Sequence, residues 1–351
     1  MNDRRLATRR GRIAIVEQLR GLAAFSVVWY HVTLGNPNFL DQGLIKSSGT
    51  YGWLGVEVFF VISGFIIPHA MYRAHYRASG HLPGFLAKRL VRLEPPYLAT
   101  VALCVVLGYV SSWVPGFRGA PPDFPPMRLA LHIGYLVGFT DYVWINPVFW
   151  SLAIEFQYYL AMALLFPMIA SERTWIRCSA VTLLFAASFL PIPDLFLVPY
   201  LSMFTLGMVT FHFSVGWLDR RTYLTAIALM ATIICLGKLT VIGLAGLATA
   251  LAIAFIRGEG FKPLVWLGTI SYSLYLVHVP IGGRVINLGE SLDTEGLTRI
   301  GFLVAAVAIS IGSAYLFNRL FERPAQLWAS KFHYGKARPV HVSTPVVEES
   351  V

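Results

Sequence analysis

The chain has 351 residues, 56% of them hydrophobic and only 13% charged, with a mean hydropathy of +0.63. About a quarter charged is usual for a soluble domain, so that class is excluded, and repeated apolar runs of about helix-spanning length point to a multi-pass membrane protein. The formal net charge of +10 reads as the basic bias of cytoplasmic loops, with no nucleic-acid partner expected.

Arg4, Arg5, Arg9, Arg10 and Arg12 precede the first apolar stretch, as in a signal peptide. Arg20 interrupts that stretch and no small-residue cleavage site follows, so it is expected to remain as a span. Apolar runs predict an all-α bundle of ten spans: 13–34, 54–70, 97–113, 149–169, 178–192, 196–213, 223–237, 240–256, 267–283 and 300–318. Segment 129–140, short and containing His132, is read as a re-entrant or surface helix. With ten spans and both termini cytoplasmic, 22 Lys and Arg fall inside and six outside. Residues 1–12 then form a basic cytoplasmic tail, 13–325 the membrane domain, and 326–351 a cytoplasmic tail expected to be disordered. Cys104, Cys178 and Cys235 lack metal-ligand or disulfide-framework spacing and are expected to be buried thiols. No metal is expected.

The first span carries Glu17, Arg20 and His31. Eleven residues make about three turns plus roughly 20°, so Arg20 and His31 share a face about 16 Å apart along the axis. Glu17, three residues before Arg20, is close enough to pair with it. Ionisable groups in a membrane are costly and usually face the protein interior, where they mark function. In the second span Glu57 lies at a depth similar to His31, and a carboxylate there is expected to orient the imidazole as a general base. Arg89 and Arg92 are expected on one face of a short helix that Pro95 and Pro96 stop, forked for phosphate recognition; lipid anchoring is the plain alternative.

The proline-containing outer loop 114–147 is long enough to cover an acceptor site. After it, Trp150 stands beside Ser151, and Ser151 and Glu155 share a face of the fourth span. In the ninth span Ser271, Tyr275 and His278 form a polar stripe, and Trp150, Ser151, Glu155, Tyr275 and His278 are the candidates for acceptor binding or transition-state stabilisation. His212 and Asp194 read as interfacial.

Taken together, Arg20 with His31, Gly55-Val56-Glu57 running into Phe59-Phe60-Val61-Ile62-Ser63-Gly64-Phe65, Arg89 with Arg92, Trp150-Ser151-Leu152 with Glu155, Ile270-Ser271-Tyr272-Ser273-Leu274-Tyr275-Leu276-Val277-His278 and Glu322-Arg323-Pro324 resemble the acyltransferase-3 family over about 13–325. The resemblance implies ten spans, an acyl-CoA donor (commonly acetyl-CoA) as co-substrate, a sugar or exported polysaccharide as acceptor, and Arg20 and His31 as a signature pair. It implies a place in the cytoplasmic (inner) membrane. Glu94-Pro95-Pro96 is more acidic and proline-rich than the family pattern. With no long C-terminal esterase-like domain in the sequence, direct delivery of the acyl group is expected. A transporter using Glu17, Arg20, His31 and Glu57 as an ion or proton pathway is the competing reading.

Overall fold

In a computed structural model, residues 2–114, 121–292 and 294–334 are described, with side chains from Ala14 onward. Every regular element among them is helical. The chain runs through α1 (Asn2–Leu34), α2 (Leu44–Ser48), α3 (Leu54–Arg73), α4 (Ala78–Ser112), α5 (Pro126–His132), α6 (Phe149–Ile169), α7 (Thr174–Ala187), α8 (Leu201–Ser214), α9 (Arg220–Gly237) and α10 (Thr240–Phe255). It continues as α11 (Lys262–Thr269), α12 (Ser271–Val277), a π-helical turn His278–Gly282, α13 (Gly283–Ser291), α14 (Gly296–Phe317), a second π turn Asn318–Glu322 and α15 (Arg323–Ser330).

Helices cover the predicted spans, but α1 and α4 begin well before the first and third of them and the ninth is divided between α11 and α12. Leu54–Arg73, Ala78–Ser112, Phe149–Ile169, Arg220–Gly237 and Gly296–Ser330 are each long and apolar enough to cross a membrane, and α11 with the helix after it makes a sixth, bent by 65°. Their outward faces, like those of the shorter apolar helices α7 and α10, carry large apolar side chains that are more than half exposed, such as Leu164, Leu183, Leu236, Leu244 and Val304. A face of that kind is stable against lipid and not against water. The protein is a polytopic helical membrane protein.

Four sequence expectations are corrected by the fold. Pro95 and Pro96 do not stop the helix that carries Arg89 and Arg92: α4 continues through them into the apolar segment. Proline removes the N–H that would reach the carbonyl four residues back, but the hydrogen bonds on either side hold one rod together. The ninth span is broken at Ile270, so the stripe of Ser271, Tyr275 and His278 lies wholly beyond the break. Cys104 is buried, but Cys178 is exposed on α7 and Cys235 is half-buried. Beyond residue 325 the helix persists to Ser330, and Tyr334 packs its ring against Tyr76 and Phe85 at 6.0 and 5.3 Å; residues 335–351 lie outside the described residues.

Two close crossings set the frame. At α3 and α8, a Cβ on Gly64 would overlap the carbonyl oxygen of Phe204, and one on Gly207 that of Val61. At α1 and α11, Gly21 meets Leu264 and Gly268 meets Glu17 in the same way. Backbones this near gain packing that no larger side chain permits. Two apolar cores result. One joins α3, α6, α8, α9 and α10 around Phe204 and Tyr158, and the other joins α1, α4, α12 and α14 around Val28, Tyr97 and Leu274. The polar groups singled out above gather along the seam between them.

Candidate active site

At the seam, an inner cavity of about 120 Å³ is lined by Arg20, Arg89, Arg92, Ser151, Glu155 and Tyr275, among others. The three guanidiniums come from α1 and α4, with α6 and α12 supplying the facing groups. Arg20 lies 3.6 Å from Glu17 as the sequence spacing requires. Arg89 sits over the rings of Tyr159 and Phe85 at 5.4 and 5.5 Å, with its buried Nε lacking a hydrogen-bond partner. Neither Arg89 nor Arg92 has a carboxylate within ion-pairing distance; the only ion pairs among the described residues are Arg20–Glu17 and Arg299–Asp41. Glu155 is engaged otherwise, accepting from Ser63 Oγ at 3.1 Å and Tyr159 OH at 2.5 Å. Arg89 and Arg92, cationic and without a carboxylate partner in a half-buried cavity, make a site for an anion.

A second, outer cavity of about 900 Å³ is lined by His31 together with Asn36, Arg128, Asn146, Arg284 and Asn287. Pro121, Pro122, Asp123, Phe124 and Ile145–Pro147 also line it, so the long connection between α4 and α6 forms one wall. The loop is pinned by fully buried His132, whose Nδ1 donates to Arg128 O at 2.8 Å while Nε2 accepts from Ile145 N at 3.3 Å. Asn146 has a further task. Pro280 has no N–H for the carbonyl of Leu276, four residues earlier, and Asn146 Nδ2 donates to that oxygen at 3.0 Å.

Tyr275 and His278 connect the two cavities. Tyr275 OH is hydrogen-bonded to Ser151 Oγ at 2.6 Å and donates to Val148 O at 3.2 Å, while its ring meets Phe59 at 6.0 Å and His278 at 5.9 Å. On the outer side, His278 Nε2 is 3.2 Å from His31 Nδ1, which is also 2.9 Å from Val27 O. The structure thus brings together Arg20, Arg89, Arg92, Ser151, Glu155 and Tyr275 around one space, and His31 with His278 just beyond it.

Glu57 and Trp150 stand apart. Gly55 is the residue by which α3 touches α1, at Ala23; two residues on, Glu57 is rotated by about 200° and faces away from His31. It is buried on the side that feels the charge of Lys238, whose Nζ donates to Pro199 O. Trp150 packs on Tyr200 and Phe60 at 5.5 and 6.5 Å and lines neither cavity. His212, 3% exposed, bonds Ile169 O at 2.8 Å and is structural. Sequence reading missed Tyr159, Asn146 and Arg284. Tyr159 is four residues after Glu155, a spacing that would have found it; Arg284 counted only as a topology charge. Among the described residues no cluster of His, Cys, Asp and Glu is placed to hold a metal ion.

The family profile described as an acyltransferase domain, acyltransferase-3, matches residues 13–319. The chain belongs to this family. Within acyltransferase-3 it is similar to the O-acetyltransferase OatA of Staphylococcus aureus, 28% identical across 88% of this chain and 56% of the relative. It therefore spans about half the length of those relatives. It is also similar to the acyltransferase MdmB of Streptomyces mycarofaciens, 25% identical over 97% of both chains, and to the putative membrane-bound transacylase BcsY of Komagataeibacter xylinus, 26% identical over 87% of this chain and 81% of the relative. No solved structure matches the chain.

Proposed function

We propose that this acyltransferase-3 protein carries an acyl group, acetyl in the first instance, from acyl-CoA to a hydroxyl of a sugar or exported polysaccharide. The observation that carries the reading is the pair of cavities, one bearing three guanidiniums and the other His31, linked through Tyr275, which lines the first and packs on His278 beside His31. Acyl-CoA docks from the cytoplasm in a ten-span bundle of the inner membrane with both termini inside. Its phosphates meet Arg20, Arg89 and Arg92. Arg20 and His31 are about 16 Å apart along α1, a gap that the pantetheine arm bridges by passing Tyr275 toward His31.

His31 then acts as general base. Its imidazole takes the proton of the acceptor hydroxyl as that oxygen attacks the thioester carbonyl, and the Ser151 and Tyr275 hydroxyls turn from Val148 O to donate to the tetrahedral oxyanion. Collapse breaks the C–S bond, forms the ester, and returns the proton from His31 to the departing sulfur. Amides and guanidiniums with apolar Pro280 and Phe124 in the outer cavity suit a sugar, which offers hydroxyls at its rim and C–H faces between them.

Purified protein in vesicles supplied with labelled acetyl-CoA and an acceptor glycan tests this. Label is expected to appear in the glycan; passage of substrate without transfer would establish a transporter instead. Arg89→Ala is expected to weaken acetyl-CoA binding by about 10–100-fold, the weight of one charge-assisted hydrogen bond, with little change in kcat. Unchanged affinity by titration would assign Arg89 to lipid anchoring.

A further inference from the structure

His278 is 1% exposed and lines neither cavity, so it does not reach an acceptor. Its hydrogen bonds nevertheless permit only one arrangement of protons. Nδ1 lies 3.0 Å from Leu274 O and 2.8 Å from Tyr275 O. Both oxygens are carbonyls, which only accept, so Nδ1 carries the hydrogen. In the neutral ring Nε2 is then a bare lone pair, and it points at His31 Nδ1, 3.2 Å away. That atom also faces the Val27 carbonyl at 2.9 Å. With two acceptors before it, His31 Nδ1 must be the donor. The opposite tautomer would set its lone pair against two others.

We infer that His278 is a positioning residue for His31: as a neutral imidazole it accepts from His31 Nδ1–H, leaves His31 Nε2 bare toward the outer cavity, and steadies the imidazolium when that atom takes a proton. This rests on the reading of His31 as the base. The arrangement does the work that a buried carboxylate does in a Ser-His-Asp triad, without a permanent negative charge inside the membrane, where one is costly. It also gives a reason for Glu57 to face elsewhere: the place behind the His31 ring is already filled. The π turn that begins at His278 belongs to the same device. Pro280 and Asn146 hold its backbone, and the backbone holds the ring of His278 through two carbonyls.

Two substitutions separate positioning from mere packing. The amide of His278→Asn takes the place of Nδ1 and keeps the carbonyl contacts, but nothing reaches His31. In His278→Gln an amide oxygen reaches the place of Nε2 and accepts from His31. His278→Asn is expected to lower kcat about 10–100-fold, as for loss of other groups that orient a reacting histidine, with KM for acetyl-CoA and glycan within about twofold. His278→Gln is expected to recover most of that loss. Equal losses in both, or a raised glycan KM at unchanged kcat, would overturn the inference. Turnover retained in His31→Ala would instead remove the base itself, whereas an inactive His31→Ala beside an unimpaired His278→Asn removes only the inference. Nitrogen-15 spectra of the unsubstituted protein, labelled at histidine, decide the matter even if neither variant folds. Both rings are expected to carry hydrogen on Nδ1 and none on Nε2 at neutral pH, and an Nε2–H on either would overturn the assignment.

Discussion

Replacing His31 by alanine is expected to reduce acyl transfer by about 10²–10⁴-fold, the range that a well-placed general base supplies. The acceptor is a neutral hydroxyl, which attacks a thioester poorly until its proton has somewhere to go. His31 lines the outer cavity and has its Nδ1 committed to Val27 and His278. Its other nitrogen is the one free to receive that proton. Donor binding should survive, because Arg20, Arg89 and Arg92 line the other cavity, roughly 16 Å along α1 from the substitution. The fold should survive as well, since His31 is half-buried beside open space and its loss leaves no sealed void. The measurement is turnover of labelled acetyl-CoA beside acetyl-CoA titration and elution profile on the same preparation. Unchanged turnover would remove His31 from the chemistry; lost turnover together with lost binding would make the site one rigid unit.

Which parts of this site were legible in the sequence follows from the range of the physics involved. Arg20 and His31 on one face needed only the helical period, and they line different cavities; Glu17 beside Arg20 needed only a three-residue step, and that pair is seen. Ser151 and Glu155 needed one helical turn and do line the same cavity, as does Tyr275 of the polar stripe. Glu57 needed more. An expected similarity of depth says nothing about azimuth, and azimuth is set by Gly55 lying on Ala23. The pairing of His31 with His278 spans 247 residues of sequence, and no local period encodes it. Pro95 and Pro96 misled for another reason. A proline pair is a strong local signal to end a helix, and here tertiary packing of α4 against α6 and α15 overrides it.

The crossing of α1 and α11 is the other place where a single atom is expected to matter. Glu17 and Gly21 are one turn apart on α1, as are Leu264 and Gly268 on α11, so each pair forms one face. The Cβ positions of Gly21 and Gly268 fall on the opposing backbone, at Leu264 O and Glu17 O. Backbone cannot yield as the end of a flexible side chain does. In Gly268→Val the helices must separate, and overpacking of that kind costs about 3 kcal/mol or more. The cost is structural first, seen as loss of the monodisperse elution peak at temperatures the parent withstands. It is functional as well, because α1 carries Arg20 into the inner cavity and α11 leads directly into α12, which carries Tyr275. Gly312→Ala supplies the contrast. No atom lies within 4 Å of its added carbon, so its stability is expected to hold or to rise by about 0.5–1 kcal/mol, the usual gain of Ala over Gly inside a helix. A Gly268→Val protein as heat-resistant as Gly312→Ala would mean that α1 and α11 do not meet backbone to backbone, and the guanidinium of Arg20 would then need another means of reaching its cavity.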